Sequence, residues 1–491
     1  MSAPRSPSGE DAGGLPKSLI AVVGVILVLR LVVGALTHLT EDEAYYRLWS
    51  FAPALGYFDH PPMIAWWIWL GRQLAGDTAL GVRMLPILAS AATSFLVFDL
   101  ARLAGAGRAV ATRAGVWFNA TLLVLAGGFL AVPDAPASFF WALMLWCALR
   151  ALRARSLAWW AAAGAAAGFA CLSKYSALFI APGMVFWLGA TPDGRRALRG
   201  PGPWVAALLA AAIFSANLSW NANHQWLTFA KQFGRIAPHK FAPGYLLELL
   251  VSQLLLANPI IAAFAVAAVM RRRGPRDIDL KPFLLVSAPF AAYLLIHSLH
   301  DRVQAHWPAP LYPAIAVCAA AGAQRIGDGW RRLAAAAAPA GFALGAAALV
   351  MLAVPGGALG RADLGLPVRG WGPFASRIEA LRAASGAAWV GTSSYGLAAE
   401  LADEPALKVP IVQMAERDRW RDLARVAPPD FTRAGLAIDL TRRLGAADLQ
   451  RCFAEVTPLG VLTRGDPGEP GKAYAVFRVA APKRDILALG C

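Results

Sequence analysis

Apolar runs long enough to cross a bilayer recur along the first 354 residues of the chain, and no other feature narrows its possible folds so far. A hydrocarbon core about 30 Å thick takes about 20 helical residues to span. Runs of roughly that kind lie near 18–37, 80–101, 110–131, 137–152, 158–173, 176–190, 203–220, 246–270, 282–298, 309–325 and 333–354. A backbone in lipid must satisfy its N–H and C=O groups internally, so these runs predict helices. The expected fold is an α-helical polytopic membrane protein with about eleven transmembrane helices. Composition agrees: 58% of the 491 residues are hydrophobic and only 15% are charged, against about a quarter charged in soluble domains. The first run passes straight into an acidic, aromatic stretch with no small-residue cleavage site, so it reads as a span and not as a removed signal.

A net charge of +16 would suit nucleic acid if it lay on one surface, but its distribution says otherwise. Arg102, Arg108 and Arg113 share one connection; Arg150, Arg153 and Arg155 another; Arg195, Arg196 and Arg199 a third. Arg271, Arg272, Arg273, Arg276 and Lys281 follow, then Arg325, Arg331 and Arg332. The clusters occupy every second connection, which is the positive-inside pattern. It places the amino terminus in the cytoplasm and removes the motive for a nucleic-acid partner. The connections at 38–79, 132–136, 221–245 and 299–308 then face outward, as does everything after 355.

Residues 1–16, "MSAPRSPSGEDAGGLP", offer no apolar face and are expected to be a disordered cytoplasmic tail. Residues 17–354 form the membrane domain. Beyond it the composition shifts, and "AAWVGTSSYGLAAELA" and "AYAVFRVA" read as strands alternating with helices, so 355–491 is expected to be an extracytoplasmic α/β domain. Cys147, Cys171 and Cys318 lie in spans and read as packing residues. Cys452 and Cys491 lie on the outward side, where a disulfide is permitted but spacing alone does not establish it. Walker, dinucleotide-binding and C-x-x-C sequences are absent, so coupling to ATP is not written in the chain.

Chemistry-bearing residues gather in the outward connections. "TEDEAYYRLW" sets Asp42 and Glu43 beside Tyr45 and Tyr46 just past the first span; carboxylates at a membrane boundary are costly unless hydrated, paired or used. "YFDHPPMIAWW" follows, where Asp59 and His60 could contact a phosphate directly or a divalent metal bound to one. In "AVPDAPASFF", Asp134 reads equally as the N-cap of the next helix. "CLSKYSALF" puts Lys174 and Tyr175 at the outer boundary, suited to a lipid-linked phosphate at headgroup level or to simple snorkelling. "HSLHDRVQAHWPAPLY" holds His297, His300, Arg302 and His306, with Arg302 a natural phosphate clamp. "WNANHQWLTFAKQFGRIAPHK" adds Asn223, His224, Lys231, Arg235, His239 and Lys240. Charges clustered at outer span ends fit an enzyme handling a lipid-borne anion better than a transporter or flippase, which would place ionisable groups in broken helices at mid-membrane.

In order and spacing, "DEAYYRLWS", "YFDHPPMIAW", "PDAPASFFWAL", "LSKYSALF", "NHQWLTFAKQFG" and "HWPAPLYPAIA" resemble the bacterial polyprenyl-phosphate-sugar glycosyltransferases. This superfamily contains the lipid A aminoarabinose transferases and the protein O-mannosyltransferases and has the multispan GT-C fold. "SSYGLAAELADEPALKVPIVQMAERDRW" is similar to the terminal domain of many bacterial members. The resemblance implies transfer, with inversion, of a sugar from a polyprenyl-phosphate donor to an envelope acceptor such as lipid A, another glycolipid, a polysaccharide or a protein. No cofactor is required, and a divalent metal, with Asp59 and His60 as candidate ligands, is optional. It implies Asp42 as general base with Glu43 beside it, and raises Asp134 from helix cap to site residue. The family's acid-lysine before the paired prolines is Asp59-His60 here, so Lys174 and Arg302 are the expected holders of the leaving phosphate. Tyr45, Tyr46, Tyr175 and His306 complete the expected donor-binding set.

Overall fold

Five helices are long and apolar enough to span a bilayer in the computed structural model: Lys17–Leu36, Ala79–Leu103, Asp134–Ala154, Gly202–Asn223 and Arg331–Leu352. The structure describes residues 14–234, 241–270, 278–326, 328–353, 365–420, 423, 429–465 and 471–491. Shorter apolar helices cover Leu157–Ser173, Tyr175–Ala190 and Lys281–His297. The expected run at 246–270 is not one straight helix: Gly244–Leu256 and Pro259–Met270 meet at 106°. Pro259 has no N–H to continue a helix and suits the first turn of a new one. Asn258 takes the left-handed turn between them at φ +67°. Its amide donates to the carbonyl of Ala337 (2.8 Å) and its Oδ1 accepts from Ile260 N–H (3.1 Å), which fixes the bend. The run at 110–131 likewise divides, into Arg108–Asn119 and Leu122–Gly127.

The chain divides into two compact units, Met1–Val32 with Pro86–Ala346 and Val33–Leu85 with Ala347–Cys491. The expected domain boundary at 354/355 lies outside the described residues, as does most of the expected disordered tail. Residues 33–85, expected inside the membrane domain, instead group with the carboxy-terminal part.

In the first unit, helices approach closely where small residues let them, as membrane helices do. A Cβ on Gly164 would stand 2.3 Å from the Ala206 carbonyl oxygen, and one on Gly322 would stand 1.9 Å from that of Phe264. Trp117, Ile261, Phe264, Ala319 and Ala337 form a core of this unit. Val25, Leu208 and Met270 point outward, as lipid-facing side chains should.

In the second unit, helices Glu41–Trp49 and Met63–Ala75 are followed, after the first unit's sequence, by a five-stranded sheet. Its strands are β1 Trp389–Thr392, β2 Ile411–Gln413, β3 Gly435–Leu440, β4 Phe453–Arg464 and β5 Lys472–Pro482, in the order β2-β1-β3-β5-β4. β1 pairs in parallel with β2 and β3, while β5 is antiparallel to β3 and β4. Helix Tyr395–Asp403 makes the crossover from β1 to β2. The α/β reading of "AAWVGTSSYGLAAELA" and "AYAVFRVA" therefore corresponds to β1 with its helix and to β5. Trp389, Val412, Met414, Ala437, Phe453 and Val479 fill the core.

Cys452 and Cys491, whose pairing the sequence left open, form a disulfide across 39 residues of sequence. It ties down the tail, whose Cys491 N–H donates to the Met414 carbonyl (2.6 Å) while Arg417 Nε donates to the Leu487 carbonyl (3.1 Å). Loops of this size restrict the unfolded chain by about 2–4 kcal/mol. Cys491→Ser is expected to lower the melting temperature of the sheet domain by several degrees, with no further loss when reductant is added. Melting the full chain in detergent with and without dithiothreitol checks it.

Candidate active site

The acidic stretch after the first span is a helix because its own residues cap it. Thr40 Oγ1 accepts from Glu43 N–H (3.3 Å), and Glu43 Oε2 accepts from Thr40 N–H (3.0 Å). This reciprocal capping box starts helix Glu41–Trp49, whose three leading acids also favour the positive helix end. Glu43, expected beside Asp42 as a catalytic acid, is fully buried and ion-paired. Arg83, equally buried, donates to its two oxygens at 2.8 and 2.7 Å and to the carbonyls of Gly34, Thr37 and His38. A charge withdrawn from water survives when paired and hydrogen-bonded in this way. Arg47, joined to Asp77 (2.6 Å) and Asp403 (2.6 Å), and Arg72, joined to Asp77 (2.7 Å), fix the other end of the same helix.

Asp42 is partly exposed, and its Oδ1 accepts a hydrogen bond from the Tyr395 hydroxyl at 2.8 Å. Tyr45 is buried and donates to Asp59 Oδ2 (3.1 Å). Tyr46 is buried against Trp49, with ring centroids 4.8 Å apart, and lies 6.1 Å from the His60 ring. Asp59 is ion-paired with Arg419, whose guanidinium also lies 4.3 Å from the centre of the Tyr395 ring. Burial works against the Arg419 charge, but Asp59, Tyr45 and Glu416 together outweigh it and hold its proton affinity above the ordinary arginine value. The structure therefore assigns the Asp59 carboxylate to Arg419 and Tyr45, where the sequence suggested a phosphate or metal contact. Among the described residues no group of three His, Cys, Asp or Glu side chains could hold a metal ion.

Tyr395 and Arg419 carry no site signal of their own in the sequence. They stand more than 330 positions after Asp59, with hydrogen-bond separations of 353 residues for Tyr395 to Asp42 and 360 for Arg419 to Asp59. The signal available was an arginine and a tyrosine within the segment similar to the family's terminal domain.

A second cluster forms in the other unit. Asp134 is the first residue of helix Asp134–Ala154, after Pro133 in the cap position, and is not the N-cap that its sequence context allowed. Its carboxylate accepts two bonds from Lys174 Nζ, at 2.7 and 2.9 Å, and His306 Nε2 stands 3.7 Å away. Lys174 sits in an extended break between helix Leu157–Ser173 and the 3-10 turn Tyr175–Phe179, with Nζ 5.4 Å from the Trp307 ring centre. The break turns the lysine out of the helix and onto the acid. Asp134, Lys174 and His306, read from three separate motifs, are thus brought together.

Tyr175, expected with Lys174 in the donor site, points elsewhere: it donates to Asn217 Oδ1 (2.7 Å) and accepts from Asn221 (3.2 Å) in the helix interior. Arg302 is exposed and engaged by Glu248 (Nε to Oε1, 2.6 Å), so the structure pairs it there and not with the Asp134 cluster. His224 stacks on Trp220 at 3.9 Å; Arg235, His239 and Lys240 lie outside the described residues, as do Arg271, Arg272, Arg273 and Arg276.

His38 makes a pH-sensitive joint within the second unit. Its Nδ1 faces the Leu39 carbonyl (3.0 Å) and its Nε2 the Glu404 carboxylate (3.2 Å), with fully buried Glu400 3.4 Å from Nδ1. Burial opposes the charge on His38, but the Glu404 and Leu39 contacts prevail and raise its pKa above 6.5. Burial and the neighbouring acids Glu41 and Asp403 raise that of Glu400 well above its usual range. Both groups hold protons more tightly when folded, so their contribution is full below their unfolded pKa values and falls as pH rises through the folded ones. The melting temperature is expected to drop by a few degrees as pH rises from about 6.5, and His38→Phe to flatten the part of that dependence near neutrality; melts in detergent across pH 5.5–9 check it.

The fold resembles that of the GT-C membrane glycosyltransferases. Superposition on ArnT from Cupriavidus metallidurans bound to undecaprenyl phosphate covers 94% of this chain and 98% of that one, with a TM-score of 0.61 at 16% identity. The arabinofuranosyltransferase AftD from mycobacteria superposes over 96% of this chain and 40% of its own, with a TM-score of 0.53 at 14% identity. At such identities the likeness establishes the fold alone.

Sequence relationship is narrower and more specific. Residues 59–220 match the family described as dolichyl-phosphate-mannose-protein mannosyltransferase. The chain is 31% identical over 288 residues to the lipid A galacturonosyltransferase RgtD of Rhizobium johnstonii, covering 57% of this chain and 59% of that protein. It thus spans about three fifths of the length of this curated relative. The chain resembles the aminoarabinose transferase and protein O-mannosyltransferase superfamily in both sequence and fold.

Proposed function

We propose that the chain is an inner-membrane glycosyltransferase that moves a sugar from a polyprenyl-phosphate carrier to an envelope acceptor on the periplasmic face. The acceptor class is lipid A or another glycolipid, with a polysaccharide or protein as further candidates. The observation that carries this reading is the Asp134–Lys174 pair, which lies inside the segment matched to the mannosyltransferase family. A lysine at the end of an apolar helix, flanked by Trp307, is a cation held at the level of a lipid phosphate.

Chemically, a sugar phosphodiester needs no nucleotide if the charge developing on the departing phosphate is stabilised. Lys174 is assigned that role. Asp42 takes the proton of the acceptor hydroxyl as its oxygen attacks the anomeric carbon. One C–O bond forms, the anomeric carbon's bond to the phosphate oxygen breaks, and polyprenyl phosphate departs, so the anomeric centre inverts. A divalent ion is not required by this scheme. About eleven crossings remain our reading of the topology, taking the shorter apolar helices as tilted or paired spans. The Cys452–Cys491 disulfide supports placing the sheet domain outside the cytoplasm. Among the described residues, the bent helix pair at Asn258 and the buried Arg30 within the span Lys17–Leu36 are features that would suit a transporter, but an amide and not an ionisable group sits at the bend, and Arg30 is engaged by Ser90 and the Val124 carbonyl.

The test is transfer by the purified full chain from radiolabelled polyprenyl-phosphate sugars to extracted envelope lipids. Labelled acceptor is expected. Movement of donor across vesicles without any transfer would replace the enzyme by a flippase.

A further inference from the structure

Asp42 occupies the first turn of its helix, where nothing in that helix fixes its side chain. Of its neighbours, Glu43 is held by Arg83 (2.7 Å), and Glu41 lies 3.6 Å from Lys472. The group that orients Asp42 comes from the sheet domain: Tyr395, whose hydroxyl donates to Oδ1. We infer that Tyr395 is a positioning residue for the Asp42 base, and that Arg419 holds Tyr395 in place.

The seating of Tyr395 is specified on every side. Ser394 caps its helix by accepting from Leu397 N–H (3.4 Å). The next residue is Gly396, where a Cβ would come 2.8 Å from both Cβ and Oε2 of Glu41, so the helix start approaches Glu41 as only glycine allows. The Tyr395 ring lies 4.9 Å from that of Tyr45, and Arg419 covers it at 4.3 Å. Arg419 is itself held by Asp59 and by Glu416 (2.8 Å), so it cannot swing away without abandoning both acids. Cation-ring contacts of this kind gain strength as water is excluded.

Two consequences follow for the base. The phenol occupies one carboxylate oxygen and leaves the second to receive the acceptor proton, a division that fixes the direction of transfer. Burial, and the Asp42 carboxylate beside it, push the Tyr395 phenol well above its usual range, so it stays a donor throughout the pH range of the enzyme. Misplacing a reacting group by about 1 Å costs on the order of 100-fold in rate. Tyr395 therefore acts on turnover and not on substrate binding.

The inference rests on Asp42 being the base, and the experiment separates the two. Tyr395→Phe and Arg419→Lys are made in the full chain in nanodiscs, with transfer kinetics and melting measured for each. Expected for both is a fall in kcat of about 10–100-fold, with both KM values within about twofold and melting temperatures within about 2 °C of wild type. An unchanged kcat, or joint loss of melting temperature and both KM values, overturns the positioning role. A readout without catalysis accompanies it: 3-fluorotyrosine at 395 should change its fluorine resonance when Asp42 becomes Asn. An unmoved resonance overturns the inference whether or not the wild type transfers sugar, whereas a moved resonance in an inactive wild type sinks only the glycosyltransferase reading.

Discussion

Asp42→Asn is expected to reduce kcat by about 1,000-fold, within the range by which a positioned general base accelerates proton transfer. Asparagine keeps the shape of the side chain, and its amide oxygen can still accept from the Tyr395 hydroxyl that now meets Oδ1 at 2.8 Å. Folding should therefore be intact, with the capping box of Thr40 and Glu43 and the buried Glu43–Arg83 pair untouched. Donor KM should stay within about twofold, because a group that acts only on the proton in flight contributes little to the ground state. Steady-state transfer and a melt on the same preparation decide it. Retention of full kcat would remove Asp42 from the base position.

Lys174→Met is the second large effect, and it joins function to stability. Lys174 and Asp134 are both largely buried and make two bonds at 2.7 and 2.9 Å. Removing the cation leaves Asp134 with His306 at 3.7 Å as its remaining basic neighbour. Breaking such a pair from one side costs about 3 kcal/mol, visible as a lower melting temperature. Transfer should fall by about 100-fold or more, with donor KM raised if Lys174 binds the phosphate in the ground state. The double variant Asp134→Asn with Lys174→Met separates the roles: stability should return in large part, because no unpaired charge remains, while transfer should not. Recovery of both would make the lysine a structural counter-ion alone.

The carboxylates singled out from the sequence have different fates, and the reason is physical. Asp134 and Lys174 each have a bland reading in sequence, as a helix cap and as a snorkelling cation, and the family resemblance is what raises Asp134 to a site residue; their pairing across 40 positions is not visible there at all. The extended residue at 174, which no hydrophobic period announces, brings the lysine to the acid. Glu43 reads like Asp42 in sequence because the two share one neighbourhood, yet it is buried and paired with Arg83. Only the position of Arg83 shows that one acid faces inward and its neighbour toward Tyr395. Tyr175 likewise shares the neighbourhood of Lys174 in sequence, whereas the 3-10 turn directs its hydroxyl to Asn217 and Asn221.

What the sequence determined by itself is the membrane class, the largely helical character of the apolar part, the α/β character of the carboxy-terminal part and the motifs in which charged residues gather. Those depend on composition and on local periodicity, which are properties of short windows. Tertiary structure decided which spans are broken, that residues 33–85 group with the sheet domain, and which acids are already engaged. The contacts of Asp42 with Tyr395 and of Asp59 with Arg419 close separations of 353 and 360 residues, and no local pattern encodes a meeting at that distance.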